Sequence, residues 1–191
     1  VKETFAAVFM GVLSAAFAVG GCAPAGPDRS VLTIFAASSL EPLMTSLEKS
    51  IEQELSIDLQ LSFSSSSIAA RQVVEGAPAD LLITADAQSM ELAGEEEVVE
   101  RPTLLARNRL ALIVENRNPK GISGLGDLSR PELNVVLCDP AVPCGRLAAG
   151  LIEKAGITPA IDSLEENVGA AVGKVALGQA DVTVGYVTDV K

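Results

Sequence analysis

Two hydroxyl-rich segments carry the chemistry of this chain: Phe35-Ala-Ala-Ser-Ser-Leu40 and Phe63-Ser-Ser-Ser-Ser-Ile-Ala-Ala-Arg-Gln72. Each falls between a strand-like apolar run and a helix-like run. Hydroxyls and free backbone N–H groups gathered where helices begin can hold an anion without using a cation. A tetrahedral oxyanion accepts hydrogen bonds on four oxygens, so a selective site needs many donors and no opposing carboxylate. Hydrogen bonds to a charged partner contribute about 1.5–3 kcal/mol each. Several of them support micromolar binding or tighter after the costs of association. Fixed neutral donors also select by cavity size, whereas a flexible lysine accepts almost any anion. Taken singly, Ser39 is no more than a helix cap and residues 64–67 no more than a polar linker.

Composition narrows the classes further. The 191 residues contain no histidine, which removes Ser-His-Asp and Cys-His catalysis and the usual imidazole ligands of zinc. The formal net charge of −11 argues against nucleic acid and anionic membrane surfaces as partners. It does not veto an anion, because exposed carboxylates more than a Debye length from a cleft are largely screened, roughly 8–10 Å at physiological salt. Ser46-Leu-Glu-Lys49 fits an S-x-x-K pattern but lacks its companion motifs and lies on a helix face. Gly121-Ile-Ser-Gly-Leu-Gly126 fits neither a nucleophile elbow nor a dinucleotide fingerprint. Arg71 invites an anion-clamp reading, but its place in the helix after the serines favours a solvated role.

At the N-terminus, an apolar stretch over residues 5–21 follows Lys2 and ends in Val19-Gly-Gly-Cys22. A short apolar run closed by small residues reads as an export signal. Cysteine directly after them resembles a bacterial lipobox, in which Cys22 is acylated and becomes the mature N-terminus; an ordinary secretory signal with an incidental cysteine is the alternative. Residues 1–22 are thus read as a lipoprotein signal peptide and residues 23–30, rich in Pro and Gly, as a tether. Outside the cytoplasm the close pair Cys138 and Cys144 is most simply a disulfide. Free thiols are the rival reading, and a metal site would need two further ligands.

The elements that must position these groups follow from periodicity. Val31-Leu-Thr-Ile-Phe35 reads as a buried strand. Leu40, Leu43, Met44, Leu47, Ile51 and Leu55 then recur at steps of three and four on one helix face, with Ser39 as N-cap and Pro42 in the first turn. A strand over residues 57–63 leads to a helix capped by Ser66 or Ser67 and ending at Gly76. Strands are expected over 81–84, 109–114, 135–138 and 182–186. Helices are expected to open at Gly145 and after Asn167, and residues 95–97 read as a solvated charge run. Strands alternating with helices give an α/β fold of mainly parallel sheets flanked by helices. In such sheets ligands sit at the carboxyl ends of strands.

The two serine segments, with Gly76-Ala-Pro-Ala-Asp-Leu81 following the second, resemble the molybdate-binding proteins of bacterial ABC importers. That family carries a similar F-A-A-x-S-L, a serine run before A-R-Q, and G-A-P-A-D-L, and the match runs in order from about Val31 to Tyr186. The resemblance implies a two-lobed, hinged, type II periplasmic-binding-protein-like fold, with a first lobe over 31–108 and a second over 109–191. It implies a monomeric extracytoplasmic receptor, lipid-anchored or soluble in the periplasm, that delivers molybdate or tungstate to an ABC permease and catalyses nothing. Carried over by position, the oxyanion ligands are Ser39 and Ser66 in the first lobe and Cys144, Val168 and Tyr186 in the second, with molybdenum held as its oxyanion and no direct protein–metal bond. The family usually has alanine where Cys144 and Ser38 stand; an amide donor at Cys144 survives that change. Replacing Ser39 or Ser66 by alanine is expected to weaken binding with little loss of fold. Family members also continue for several dozen residues beyond the tyrosine strand to complete the first lobe, so these 191 residues are expected to leave apolar surface and a sheet edge exposed there. The competing classes are an exported serine-dependent hydrolase and a receptor of the same fold for sulfate, phosphate or another anion.

Overall fold

The computed structural model describes residues 29–190; the signal, the acylated Cys22 and nearly all of the tether expected above lie outside them. Two sheets organise the described residues. The first is built from β1 (Ser30–Ala37), β2 (Ile57–Ser64) and β3 (Leu81–Ile83), all parallel in the order β2-β1-β3. Its connections are helical, α1 (Glu41–Leu55) and α2 (Ser66–Val74), as parallel crossovers require. A further helix, α3 (Ala87–Glu95), packs beside α2.

The second sheet contains β4 (Leu110–Val114), β5 (Val135–Cys138), β6 (Ile161–Glu165) and β7 (Val182–Tyr186) in the order β4-β7-β5-β6. Only β4 runs antiparallel, beside β7. Helices α4 (Pro143–Lys154) and α5 (Val168–Ala176) link its parallel strands. All four residues of β5 and all five of β7 are buried, as expected for central strands covered on both faces. The fold is thus α/β, two-lobed and mainly parallel.

Each sheet has its own core. Ile34, Ala36 and Leu59 form one patch on the first sheet, while Ala69, Ala70, Leu82 and Ala93 form another under α2 and α3. In the second lobe Leu128, Val135, Leu137, Ile152 and Val182 lie on one face, with Val136, Val168, Ala171 and Val175 on the other. The Asp of the Gly-Ala-Pro-Ala-Asp segment is structural. Asp80 Oδ2 accepts from the Thr33 N–H at 2.8 Å, and the Asp80 N–H donates to the Thr33 carbonyl at 2.9 Å. This pair sets where β3 joins β1.

Several expectations shift. Helix α1 has no fully buried residue: Met44 and Ile51 pack on the first sheet, but Leu43, Leu47 and Leu55 are exposed. Its apolar stripe is wider than the strip of sheet it covers. Helix α4 begins at Pro143, two residues before Gly145, because proline fills a first-turn position at no hydrogen-bonding cost. Residues 95–97 are solvent-exposed, as expected. Among the described residues no helix is long and apolar enough to cross a membrane.

Candidate anion-binding cleft

Four helical starts face one another between the sheets. Each follows the carboxyl end of a strand: Ser38–Leu40, a 3-10 turn, follows β1; α2 follows β2; α4 follows β5; α5 follows β6. First-turn N–H groups of a helix have no partner within it, and the helix dipole makes that end electropositive. Between these starts lies a narrow cleft, lined by Ala37, Ser38, Ser39, Ser65, Ser66 and Ala85 from one side and Val142, Pro143, Cys144, Asn167, Val168 and Tyr186 from the other. All five residues expected as ligands stand on its wall. None of the lining side chains is a carboxylate or a cation.

The local chemistry at the two first-lobe starts differs from the sequence expectation in an informative way. Ser39 does not cap α1. It lies inside the 3-10 turn, whose cap position is Ala37, while Leu40 occupies the cap position of α1, and neither start has a side-chain cap. The interposed turn makes the backbone helical before α1 begins, so the hydroxyl is not drawn into a local cap. The cap of α2 is Ser65, not Ser66 or Ser67. Ser65 has the extended backbone a cap requires, and its Oγ accepts from the Ile68 N–H at 3.4 Å. Ser66 is therefore the first helical residue, 1% exposed. Its Oγ accepts from the Ala85 N–H at 2.8 Å, which fixes the oxygen and leaves its proton to donate.

On the opposite wall, Val142 caps α4 without a side-chain bond. With Pro143 lacking an N–H, Cys144 offers the first free amide of that helix. Cys144 is bridged to Cys138, their Cα atoms 5.9 Å apart, which ties the start of α4 to the end of β5. Gly145 makes this approach possible: a Cβ there would run into the Asp139 carbonyl. Asn167 caps α5, its Oδ1 accepting from the Ala170 N–H at 2.9 Å, so the Val168 amide stays uncapped.

Tyr186 completes the wall. It is 5% exposed, and its hydroxyl has no hydrogen-bond partner among the described residues. A buried phenol without a partner is costly, and this one belongs to a residue that lines the cleft. Burial first, then the nearby charges of Asp86 and Asp189, push its pKa up to about 12, while Arg146 acts the other way. The hydroxyl is therefore a donor at any physiological pH. Asp189 Oδ2 accepts from the Tyr186 N–H at 2.7 Å and fixes the end of β7.

The sequence reading missed Ser65 and Asn167 as wall residues, although both carry a visible capping signal ahead of a helix. The solvated role expected for Arg71 agrees with its exposure, but Arg146 was not singled out. Arg71 is exposed on α2, whereas Arg146 on α4 lies near Tyr186, paired with Asp86 at 2.7 Å. Burial alone would push the Asp86 carboxyl up, but hydrogen bonds from Ser89 and Arg146 outweigh it and hold it below the usual carboxylate range. Among the described residues no cluster of His, Cys, Asp or Glu could ligate a metal ion directly.

Comparison with known proteins agrees with this architecture. The family described as bacterial extracellular solute-binding protein matches residues 32–191. The molybdate-binding protein ModA of Mycobacterium tuberculosis is 34% identical over 170 residues, covering 87% of this chain and 65% of that protein. The chain thus spans a little under two thirds of that relative's length. The ModA protein of Escherichia coli is 31% identical over 185 residues, covering 91% of this chain and 71% of its own. Among solved structures, the Azotobacter vinelandii periplasmic molybdate-binding protein superposes with a TM-score of 0.69 at 19% identity, covering 81% of this chain and 71% of that one. That last likeness is one of fold. On the family match and the ModA identities together, the chain belongs to the bacterial extracellular solute-binding proteins, in the group that contains the ModA proteins.

Proposed function

We propose that this chain is an extracytoplasmic receptor that captures molybdate, or tungstate, and hands it to an ABC permease. The observation that carries this reading is the buried, unpartnered Tyr186 hydroxyl facing a cleft ringed by helix starts and lined by no carboxylate. The proposed donors are the Ser39 and Ser66 hydroxyls and adjoining amides, the Cys144 and Val168 amides, and the Tyr186 hydroxyl. The names and identities of the ModA relatives support molybdate over other anions. In this reading the receptor works as a monomer, and acylation at Cys22 holds it to the membrane. It catalyses nothing: the serines face no carboxylate, imidazole or amine in the cleft lining that could take their proton.

Calorimetric titration with molybdate, tungstate, sulfate and phosphate tests the proposal. Saturable one-to-one binding of the first two, with far weaker response to the others, is the expected result. A preference for sulfate or phosphate would reassign the ligand on the same scaffold. Turnover of a nitrophenyl ester, abolished by Ser39→Ala or Ser66→Ala, would overturn the receptor reading in favour of a hydrolase.

A further inference from the structure

The two lobes touch through a set of polar contacts that does not belong to the cleft wall. Arg146, in the first turns of α4, reaches across to the cap of α3: its Nη2 donates to Asp86 Oδ2 at 2.7 Å and to Ser89 Oγ at 3.4 Å. Its Nη1 donates back to the Ala141 carbonyl at 2.6 Å. That same carbonyl accepts from Ser67 Oγ, on α2 of the opposite lobe, at 2.9 Å. Ala141 lies within the loop closed by the Cys138–Cys144 bridge, so the acceptor is held in place covalently. The Arg146 and Asp86 side chains are 24% and 16% exposed, dry enough for the pair to be only partly screened.

We propose that Arg146, Asp86 and the Ser67–Ala141 contact form an interlobe clasp that holds the receptor closed and sets how long a bound anion stays. Arg146 is the positioning residue. A guanidinium can serve Asp86 and Ala141 at once because its N–H groups project in a fixed fork. A closed state stabilised by the protein's own contacts changes two quantities. The ligand-free protein spends more time closed, and opening for release must first break the ion pair and the Ser67 bond. Neither effect requires any clasp residue to touch the anion.

The dissociation arm rests on the proposed function; the ligand-free arm does not. Arg146→Gln and Asp86→Asn are the variants of choice, and asparagine keeps the α3 cap. Stopped-flow tyrosine emission on molybdate-loaded protein is expected to show dissociation about three- to tenfold faster in each variant, the scale of a partly screened charged contact. The double variant is expected to be no faster than Arg146→Gln alone, because that substitution already removes the contact to Asp86. Small-angle scattering of ligand-free protein is expected to show a larger radius of gyration in both variants, and Arg146→Lys is expected to fall between wild type and Arg146→Gln. If molybdate does not bind, the scattering result still decides the matter. Unchanged dimensions and unchanged dissociation in both variants would overturn the clasp. So would opposite effects of the two substitutions on dissociation, because the pair would then act through its field on the anion rather than by holding the lobes.

Discussion

At the scale of single residues, the site depends on donors whose other bonds are already settled. Ser66 illustrates this, since its oxygen accepts from Ala85 while its proton is left for the cleft. Ser66→Ala therefore removes a proposed ligand donor and also strands a backbone N–H. The variant should bind molybdate roughly ten- to hundredfold more weakly and lose about 1–3 kcal/mol of stability. Ser39→Ala, at a position that caps nothing, should weaken binding on the same scale while leaving the denaturation midpoint unchanged. Equal stability loss in the two would contradict the assigned bond. Tyr186 gives a second test, because the chain has one tyrosine and no tryptophan. Its folded pKa of about 12 stands above the ordinary value of 10.0. The stabilisation linked to this group is thus fully present below pH 10 and disappears between about pH 10 and 12. Tyrosinate absorbance should rise only as the protein approaches pH 12 or unfolds; a simple titration centred at pH 10 in folded protein would place the hydroxyl in solvent. The position of the tyrosine on its strand was legible from sequence. Its missing partner was not, because that depends on what the opposite lobe brings near it.

At the scale of elements, helix starts matter more than helix bodies. Three of the four starts at the cleft were visible as polar-to-apolar transitions, but their exact first residues were not. Capping was assigned one or two residues late at α2 and assigned to Ser39 where a 3-10 turn intervenes. Two elements escaped notice. Strand β6, Ile161-Asp-Ser-Leu-Glu165, lies at the sheet edge with no fully buried residue and so has little apolar alternation to reveal it. Helix α3 draws its stability from the Asp86 cap and two small buried residues, Ser89 and Ala93, rather than from a long apolar stripe. The antiparallel pairing of β4 with β7 joins strands some seventy positions apart, which no local pattern encodes. Helix α4 supplies the prediction at this scale. Gly145→Ala would force the helix start away from the Asp139 carbonyl, costing about 1–3 kcal/mol by overpacking and displacing the Cys144 amide. Gly150→Ala, in the same helix with open space around it, should be neutral or add about 0.5–1 kcal/mol. Thermal melts and calorimetry on the two variants separate a local steric requirement from general helix propensity. If Gly145→Ala melts and binds like wild type, the close approach does not position the site.

At the scale of the whole molecule, the proposed function asks a strongly acidic protein to bind an anion, and the magnitudes decide how the conflict resolves. A dianion about 20 Å from a diffuse charge of −11 meets roughly 0.2 kcal/mol of repulsion per unit pair in water before screening. With a Debye length of about 30 Å at 0.01 M salt, the total is on the order of 2 kcal/mol; with about 10 Å at 0.1 M it falls below about 1 kcal/mol. Several short donors at about 1.5–3 kcal/mol each outweigh either figure. The sign of the salt effect therefore reports what holds the ligand. If neutral donors do so, with Arg146 already neutralised by Asp86, molybdate affinity should rise about tenfold between about 0.01 and 0.1 M salt and then level off. A free cationic clamp would give the opposite slope, with affinity falling as salt screens the attraction. Calorimetric titrations across that range, in a salt whose anion does not compete for the site, distinguish the two. A steady fall would mean that an unpaired cation reaches the anion, and Arg146 would have to leave Asp86 to supply it. The interlobe clasp and the neutral site would then fail together, because both require that guanidinium to stay engaged with the carboxylate.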